Sequence, residues 1–243
     1  MKCGTSSLFR YLAQHPQVVP PVRKELHYFS LGEQQNKDFA WYRAHFPLRL
    51  SKPSGHITGE GCPAYLFHPT AIESAARALP EARIILLLRD PVERAISHYY
   101  HEVRMGREYL PIEQAMEVEE KRLGALPQDL HQADAHEIET YMHASYKKQG
   151  IYADHIEHLF QFYPRDQVLV VKSEDFFQDT ASWLKDIMMF LGISPDPAGL
   201  NLKPKNVGDN KARSDPALIA ELRAFFAPHE KRLKDLVGHQ FAW

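Results

Sequence analysis

Cysteine is nearly absent from this chain: Cys3 and Cys62 are the only two in 243 residues. Two thiols cannot build a disulfide framework and are too few for a thiolate metal site, so both read as reduced thiols in a cytoplasmic protein. Long apolar runs are missing too. The longest, Ile84-Ile85-Leu86-Leu87-Leu88, is strand-sized, against the roughly 20 residues of a membrane-crossing helix. No basic segment followed by an apolar one opens the sequence, so no secretory signal is expected. Neither sign of charge dominates: 29 Lys and Arg stand against 31 Asp and Glu, a formal net charge of −2. That balance argues against nucleic-acid binding and leaves local basic clusters as the place for a phosphorylated ligand. The dinucleotide signature Gly-x-Gly-x-x-Gly is absent, and so is the triphosphate loop with its lysine behind a second glycine. Repeats and low-complexity tracts are lacking. Histidine is plentiful, at 14 residues, but no Cys, Asp or Glu completes a ligand set at a usual spacing, so no metal is expected. His98, His101, His131 and His136 are assigned to exposed helix faces or loops.

What is present is an alternation of helix and strand. Leu8, Tyr11, Leu12 and His15 share one face of a helix over 5–15, ended by Pro16. A short helix over 38–46 carries Phe39, Tyr42 and Phe46. His56 to Glu60 reads as a short strand, and Pro69 opens a helix reaching Leu79. Arg83 to Leu88 is the clearest strand, a continuous apolar run of the kind buried on both faces of a parallel sheet. Asp90 caps the next helix with Pro91 at its first position, and Val92, Ala95, Ile96, Tyr99 and Val103 follow at helical spacing. Polar helices are expected over 111–123 and 136–147, an amphipathic one over Ile151–Phe162 and a buried strand over Val168–Val171. A helix over Trp183–Leu191 ends at Gly192, and a last one over Pro216–Val237 is broken or kinked near Pro228. Most aromatics, including Trp41, Tyr42, Tyr99 and Tyr100, are assigned to the core. The pattern predicts a single α/β domain over 1–243, whose ligands bind where strands turn into helices.

Two such junctions carry unusual chemistry. Lys2-Cys3-Gly4-Thr5-Ser6-Ser7-Leu8 leads into the first helix. Gly4 allows close backbone approach, Thr5, Ser6 and Ser7 add hydroxyls, and Lys2 adds a full charge where unpaired amides already favour an anion. An ordinary Ser/Thr helix cap beside a lysine shares part of this pattern. Arg89 stands at the carboxyl end of the best strand and Ser97 two turns into the following helix, a pairing suited to a second phosphate. Arg89 could instead pair with Asp90, Glu93 or another acid. Two anion sites on one sheet match a nucleoside phosphorylated at two positions.

In this combination the sequence resembles the sulfotransferases that use 3′-phosphoadenosine 5′-phosphosulfate (PAPS). Lys2 to Leu8 resembles their 5′-phosphosulfate loop, and Arg83 to Ser97 their 3′-phosphate strand and helix. Lys24-Glu25-Leu26-His27-Tyr28-Phe29 looks like the Lys-Glu-x-His-Phe-Phe segment of the heparan-sulfate-type branch, and Gly59-Glu60-Gly61-Cys62-Pro63-Ala64-Tyr65 like the next segment of the family, after the second strand. Gly150-Ile151-Tyr152, Tyr163-Pro164 and Glu174-Asp175-Phe176 fall in the same order. The resemblance implies a three-layer sandwich with a central parallel sheet and a nucleotide-kinase-like topology. It implies PAPS as co-substrate without a metal, and a hydroxyl-bearing acceptor that the branch resemblance makes a carbohydrate. By the same resemblance Lys2 stabilises the leaving phosphate and Gly4 to Ser7 hold it. Arg89 and Ser97 hold the 3′-phosphate, with Lys205 and Arg213 of a basic loop (Lys203 to Arg213) closing over the nucleotide. Glu25 is the candidate base with His27 as helper or alternative, both side chains pointing one way along an extended segment. Lys24 and Glu60 are candidate substrate contacts.

The family has a hydrophobic strand before the loop, and here Met1-Lys2 stands in its place; the expectation is a true start several residues upstream. Sulfation of a lipid, polyketide or carrier-bound hydroxyl is one alternative within this chemistry. Outside it, a nucleotide-kinase-like fold that only binds nucleotide is disfavoured by the absence of a full phosphate loop and of a strand-end Asp for Mg²⁺, and a non-catalytic binding or scaffold protein with a degenerate site by the joint presence of Lys2, Glu25, Arg89 and Ser97. Acceptor contacts come from variable loops, and 104–148 is either a substrate flap or a solvated helical face.

Overall fold

The computed structural model describes residues 2–31, 36–47, 55–126, 132–204, 215–238, 241 and 243. In chain order the helices α1 (Thr5–Leu12), α2 (Tyr28–Leu31), α3 (Phe39–Arg43) and α4 (Ala71–Ala78) precede strand β1 (Ile84–Leu88). Then come α5 (Pro91–Arg104), α6 (Ile112–Gly124), α7 (Ala135–Ala144) and α8 (Tyr152–Phe160). Strand β2 (Val168–Lys172) leads directly into α9 (Ser173–Gln178), followed by α10 (Thr180–Leu191) and α11 (Pro216–Val237).

β1 and β2 pair in parallel, Ile84 opposite Val168 through Leu88 opposite Lys172. Because successive side chains alternate across a strand, each apolar run feeds two layers. Ile85, Leu87, Leu169 and Val171 pack on one face against Tyr11 of α1, Phe176 of α9 and Leu184, Ile187 and Met188 of α10. Ile84, Leu86, Leu88, Val168 and Val170 pack on the other against Tyr152, Ile156 and Leu159 of α8 and Leu233 of α11. The sheet is therefore sandwiched between two helical layers. Each fully buried aliphatic side chain here contributes about 1.5–3 kcal/mol.

The segment expected as a strand over His56–Glu60 contributes a single parallel bridge, Val18 to Ile57, among the described residues. α1 stops at Leu12 because the chain turns there, and His15 is buried with its ring 3.0 Å from the Ser194 carbonyl. α11 runs unbroken through Pro228. Pro228 and Ala224, whose carbonyl loses its donor, both lie on the exposed face, so the freed carbonyl is open to solvent. α9 was not foreseen, since β2 passes into it with no turn signal between. The assignment of His98 to an exposed face is overturned. It is fully buried beside Arg94, Glu102 and Tyr146, and burial pushes its pKa down to about 3, so it is neutral. His136 is exposed, and His131 lies outside the described residues. Tyr42 and Tyr99 are in the core as expected, with Trp41 and Tyr100 half-buried at its edge. No helix among the described residues is long and apolar enough to cross a membrane.

Candidate active site

The loop before α1 is shaped by Gly4. Its φ of 85° is left-handed, and a Cβ there would sit 2.5 Å from the ring of Phe177. The left-handed φ favours glycine, and a side chain there would also have to push the Phe177 ring aside. The Gly4 carbonyl accepts from the Ser7 amide at 2.9 Å and the Leu8 amide at 3.3 Å. The amides of Thr5 and Ser6 have no acceptor inside the helix, so these are the donors the loop can offer an anion. Thr5 and Ser6 are half-buried, but Ser7 is not available as a ligand hydroxyl: it is fully buried and hydrogen-bonded to Tyr11, which itself donates to the Leu202 carbonyl at 2.9 Å. Gly4→Ala is expected to weaken nucleotide binding at least tenfold by displacing Phe177 and straining the loop. Calorimetry with adenosine 3′,5′-bisphosphate checks this; unchanged affinity would show that the loop does not contact the nucleotide.

Lys2 also lies in the left-handed region, at φ 68°. Burial lowers its pKa, and the charges of Arg104 and Arg89 lower it further, which places three cations around one spot. Arg89 is reached from the end of β1. Its guanidinium pairs with Glu93 at 3.2 Å, with side-chain exposures of 31% and 54%. So exposed a pair is weak and can be exchanged for a phosphate. Ser97 is buried on α5. The junction is held by Asp90, whose side chain caps α5 by accepting from Val92 and Glu93 at 2.9 and 3.1 Å and pairs with Arg223. The Asp90 amide donates to Glu174 at 3.0 Å, tying the end of β1 to the start of α9.

Sequence reasoning missed the residue joining the two anion segments. Tyr152, buried at the start of α8, donates to the Arg89 carbonyl at 2.8 Å and shares a hydrogen bond with the Cys3 thiol. Ser173 donates to the Cys3 carbonyl at 2.9 Å, and fully buried Arg94 lies beneath the junction and donates to the Tyr146 carbonyl. The only sequence signal for Tyr152 was its place in Gly150-Ile151-Tyr152.

A second cluster forms around Glu25. Glu25 and His27 have φ of 60° and 55°, so the segment is not extended as expected. The side chains converge all the same: Glu25 pairs with Lys24 through one oxygen, and its other oxygen is 4.0 Å from His27 Nε2. The twist is enforced from beneath by Glu60. Its carboxylate accepts from the Leu26 amide at 2.8 Å and from Tyr65 at 3.0 and 3.2 Å, while burial raises its pKa. Glu60 thus holds the backbone between Glu25 and His27 instead of standing as an open substrate contact. His27 Nδ1 lies 3.3 Å from Ser30 Oγ and 3.7 Å from Cys62 Sγ, whose thiol burial pushes up to about 12. Burial also lowers the pKa of His27, keeping it a neutral acceptor at neutral pH. Among the described residues, non-glycine positive φ occurs at Lys2, Glu25, His27 and Asn36 alone. Such conformations cost about 1–3 kcal/mol each and gather at working sites.

The clusters meet across Gly61, where a Cβ would lie 3.2 Å from Phe9 of α1 and 3.3 Å from the Lys24 side chain. Glycine there leaves both Phe9 and the Lys24 side chain close to the backbone. Lys205 and Arg213, with Asn206 and Lys211, lie outside the described residues.

This arrangement has known counterparts. Residues 1–230 match the model of the sulfotransferase domain family. The whole chain aligns with human heparan sulfate glucosamine 3-O-sulfotransferase 3B1 at 28% identity, spanning 62% of that protein's length. It also aligns with the membrane-associated sulfotransferase kil1 of Dictyostelium discoideum at 24% identity, spanning 64%. A crystal structure of a sulfotransferase from Alicyclobacillus acidocaldarius superposes with a TM-score of 0.74 at 32% identity, covering 97% of this chain and 92% of that one. With the family model running from the anion loop into the last helix, this chain belongs to the sulfotransferase domain family.

Proposed function

We propose that the chain transfers a sulfuryl group from PAPS to a hydroxyl of a carbohydrate acceptor. The observation that carries this reading is the pair of anion segments, Lys2 to Ser6 and Arg89, drawn together at the carboxyl end of β1 and joined by Tyr152. The loop amides and Lys2 would hold the 5′-phosphosulfate, and Arg89, released from Glu93, the 3′-phosphate beside Ser97. Glu25, supported by His27, takes the proton of the acceptor hydroxyl as its oxygen bonds to sulfur. Lys2 neutralises the charge gathering on the bridging oxygen as the sulfur–oxygen bond breaks and adenosine 3′,5′-bisphosphate leaves. Remote binding of the 3′-phosphate fixes the donor for in-line attack. The carbohydrate acceptor is supported by the names of the heparan sulfate relatives. A lipid- or carrier-linked hydroxyl is the second reading, favoured by the exposed Met105 and Tyr109 just beyond α5.

Calorimetric titration tests the donor site. Adenosine 3′,5′-bisphosphate is expected to bind at micromolar concentration and about 10- to 100-fold more weakly to Arg89→Ala, the loss of one charge-assisted phosphate contact. ATP binding as tightly as the bisphosphate would overturn the reading.

A further inference from the structure

The peptide unit between Arg89 and Asp90 is pinned at both ends. Its carbonyl accepts from Tyr152 of α8 at 2.8 Å, and its amide donates to Glu174 Oε1 of α9 at 3.0 Å. A peptide unit is planar, so fixing its carbonyl and its amide fixes the plane. The Cα of Arg89 lies in that plane, and the two bonds therefore also set where the Arg89 side chain starts.

Both pins lead back to one residue. Trp243, half-buried beyond α11, donates from Nε1 to Glu174 Oε2 at 2.9 Å, and its ring centroid lies 6.2 Å from that of Tyr152. Glu174 is exposed, and among the described residues the Asp90 amide and this indole are the hydrogen-bond partners of its side chain. Without the indole, one oxygen would face water alone and the carboxylate could turn away from Asp90. Trp243 is itself fixed from three sides. Its backbone amide bonds the Glu230 carboxyl of α11, and Phe241 packs at 6.0 Å. Lys172, at the end of β2, stands 5.5 Å over the indole, within the range of a cation–π contact.

We infer that Trp243 is a positioning residue for the 3′-phosphate end of the donor site: by backing Tyr152 and Glu174 together it holds the Arg89–Asp90 peptide, and with it Arg89, in place for the phosphate. This rests on the donor reading above and adds to it a residue that acts only through other side chains.

Trp243→Phe keeps a ring against Tyr152 and removes the N–H, whereas Trp243→Ala removes both. Calorimetry compares adenosine 3′,5′-bisphosphate with adenosine 5′-monophosphate at millimolar concentration, which lacks the phosphate assigned to Arg89. Trp243→Phe is expected to weaken the bisphosphate roughly three- to tenfold, the effect of one lost hydrogen bond, and to leave the monophosphate within about twofold. Trp243→Ala should weaken the bisphosphate further. Glu174→Gln keeps an oxygen for the Asp90 amide but turns a donor toward the indole; adding Trp243→Phe to it should cost nothing more, because the bond is already gone. Equal weakening of both nucleotides by Trp243→Phe marks a general structural role and overturns the inference, as does unchanged bisphosphate affinity. Wild-type protein that binds no bisphosphate counts instead against the donor reading, and nucleotide-free protein then decides for Trp243. There Trp243→Phe should speed hydrogen exchange of the Asp90 amide, followed by NMR, at least about threefold. An unchanged exchange rate overturns the positioning role.

Discussion

Lys2→Ala is expected to lower kcat by about 10²- to 10³-fold while changing the affinity for adenosine 3′,5′-bisphosphate far less. The asymmetry follows from where the charge acts. On the proposed mechanism the ground-state nucleotide would also be held by the loop amides and by Arg89, whereas the charge developing on the bridging oxygen would fall to Lys2, and losing one such donor costs about 3–4 kcal/mol. Burial and the nearby Arg104 and Arg89 all lower the pKa of Lys2. The alkaline limb of the rate profile should therefore fall below the usual lysine value of about 10.4. Radiolabelled transfer under saturating donor measures kcat, and calorimetry measures affinity. If kcat holds while nucleotide affinity collapses, Lys2 is a binding residue and not a transition-state one.

Glu25→Gln should lower kcat by about 10²- to 10⁴-fold, the range for removal of a positioned base. The glutamine keeps the shape and can still hydrogen-bond, so the left-handed backbone held by Glu60 should persist and the thermal midpoint should move little. His27→Asn separates helper from base. Burial lowers the pKa of His27, so its protonation, and any rate loss that comes from it, belongs below pH 6.5. An acid limb that vanishes in His27→Asn gives His27 the proton; a profile unchanged in that variant, beside a crippled Glu25→Gln, gives it to Glu25. Near-normal turnover by Glu25→Gln would remove this cluster from the mechanism.

The layers of the fold were legible because the apolar runs Ile84–Leu88 and Val168–Val171 admit few alternatives, and because Asp90-Pro91 and Gly192 mark helix ends by simple rules. Lys2 and Arg89 were legible as charge placed just ahead of helix N-termini, Arg89 at the end of β1. What escaped depends on partners distant in sequence. Ser7 looks like a ligand hydroxyl until Tyr11 and Leu202 close over it. Glu60 reads as a substrate contact until the Leu26 amide and Tyr65 claim it. His98 occupies a polar-looking helix position that only the packing of Tyr146 and Glu102 buries. The left-handed backbone at Glu25 and His27 has no local signature either, since neither residue favours it; the constraint arrives from Glu60, more than thirty residues on.

The bond from Tyr152 to Arg89, with its thiol contact to Cys3, sets the gauge of the donor site. One rigid phenol on α8 touches the backbone behind one anion segment and the side chain behind the other, so the two cannot drift apart independently. The protein thereby acts as a caliper with fixed jaws. On the proposed donor reading, a nucleotide whose two phosphates match the opening would meet both ends at once, while a shorter or singly phosphorylated one would fill only one of them.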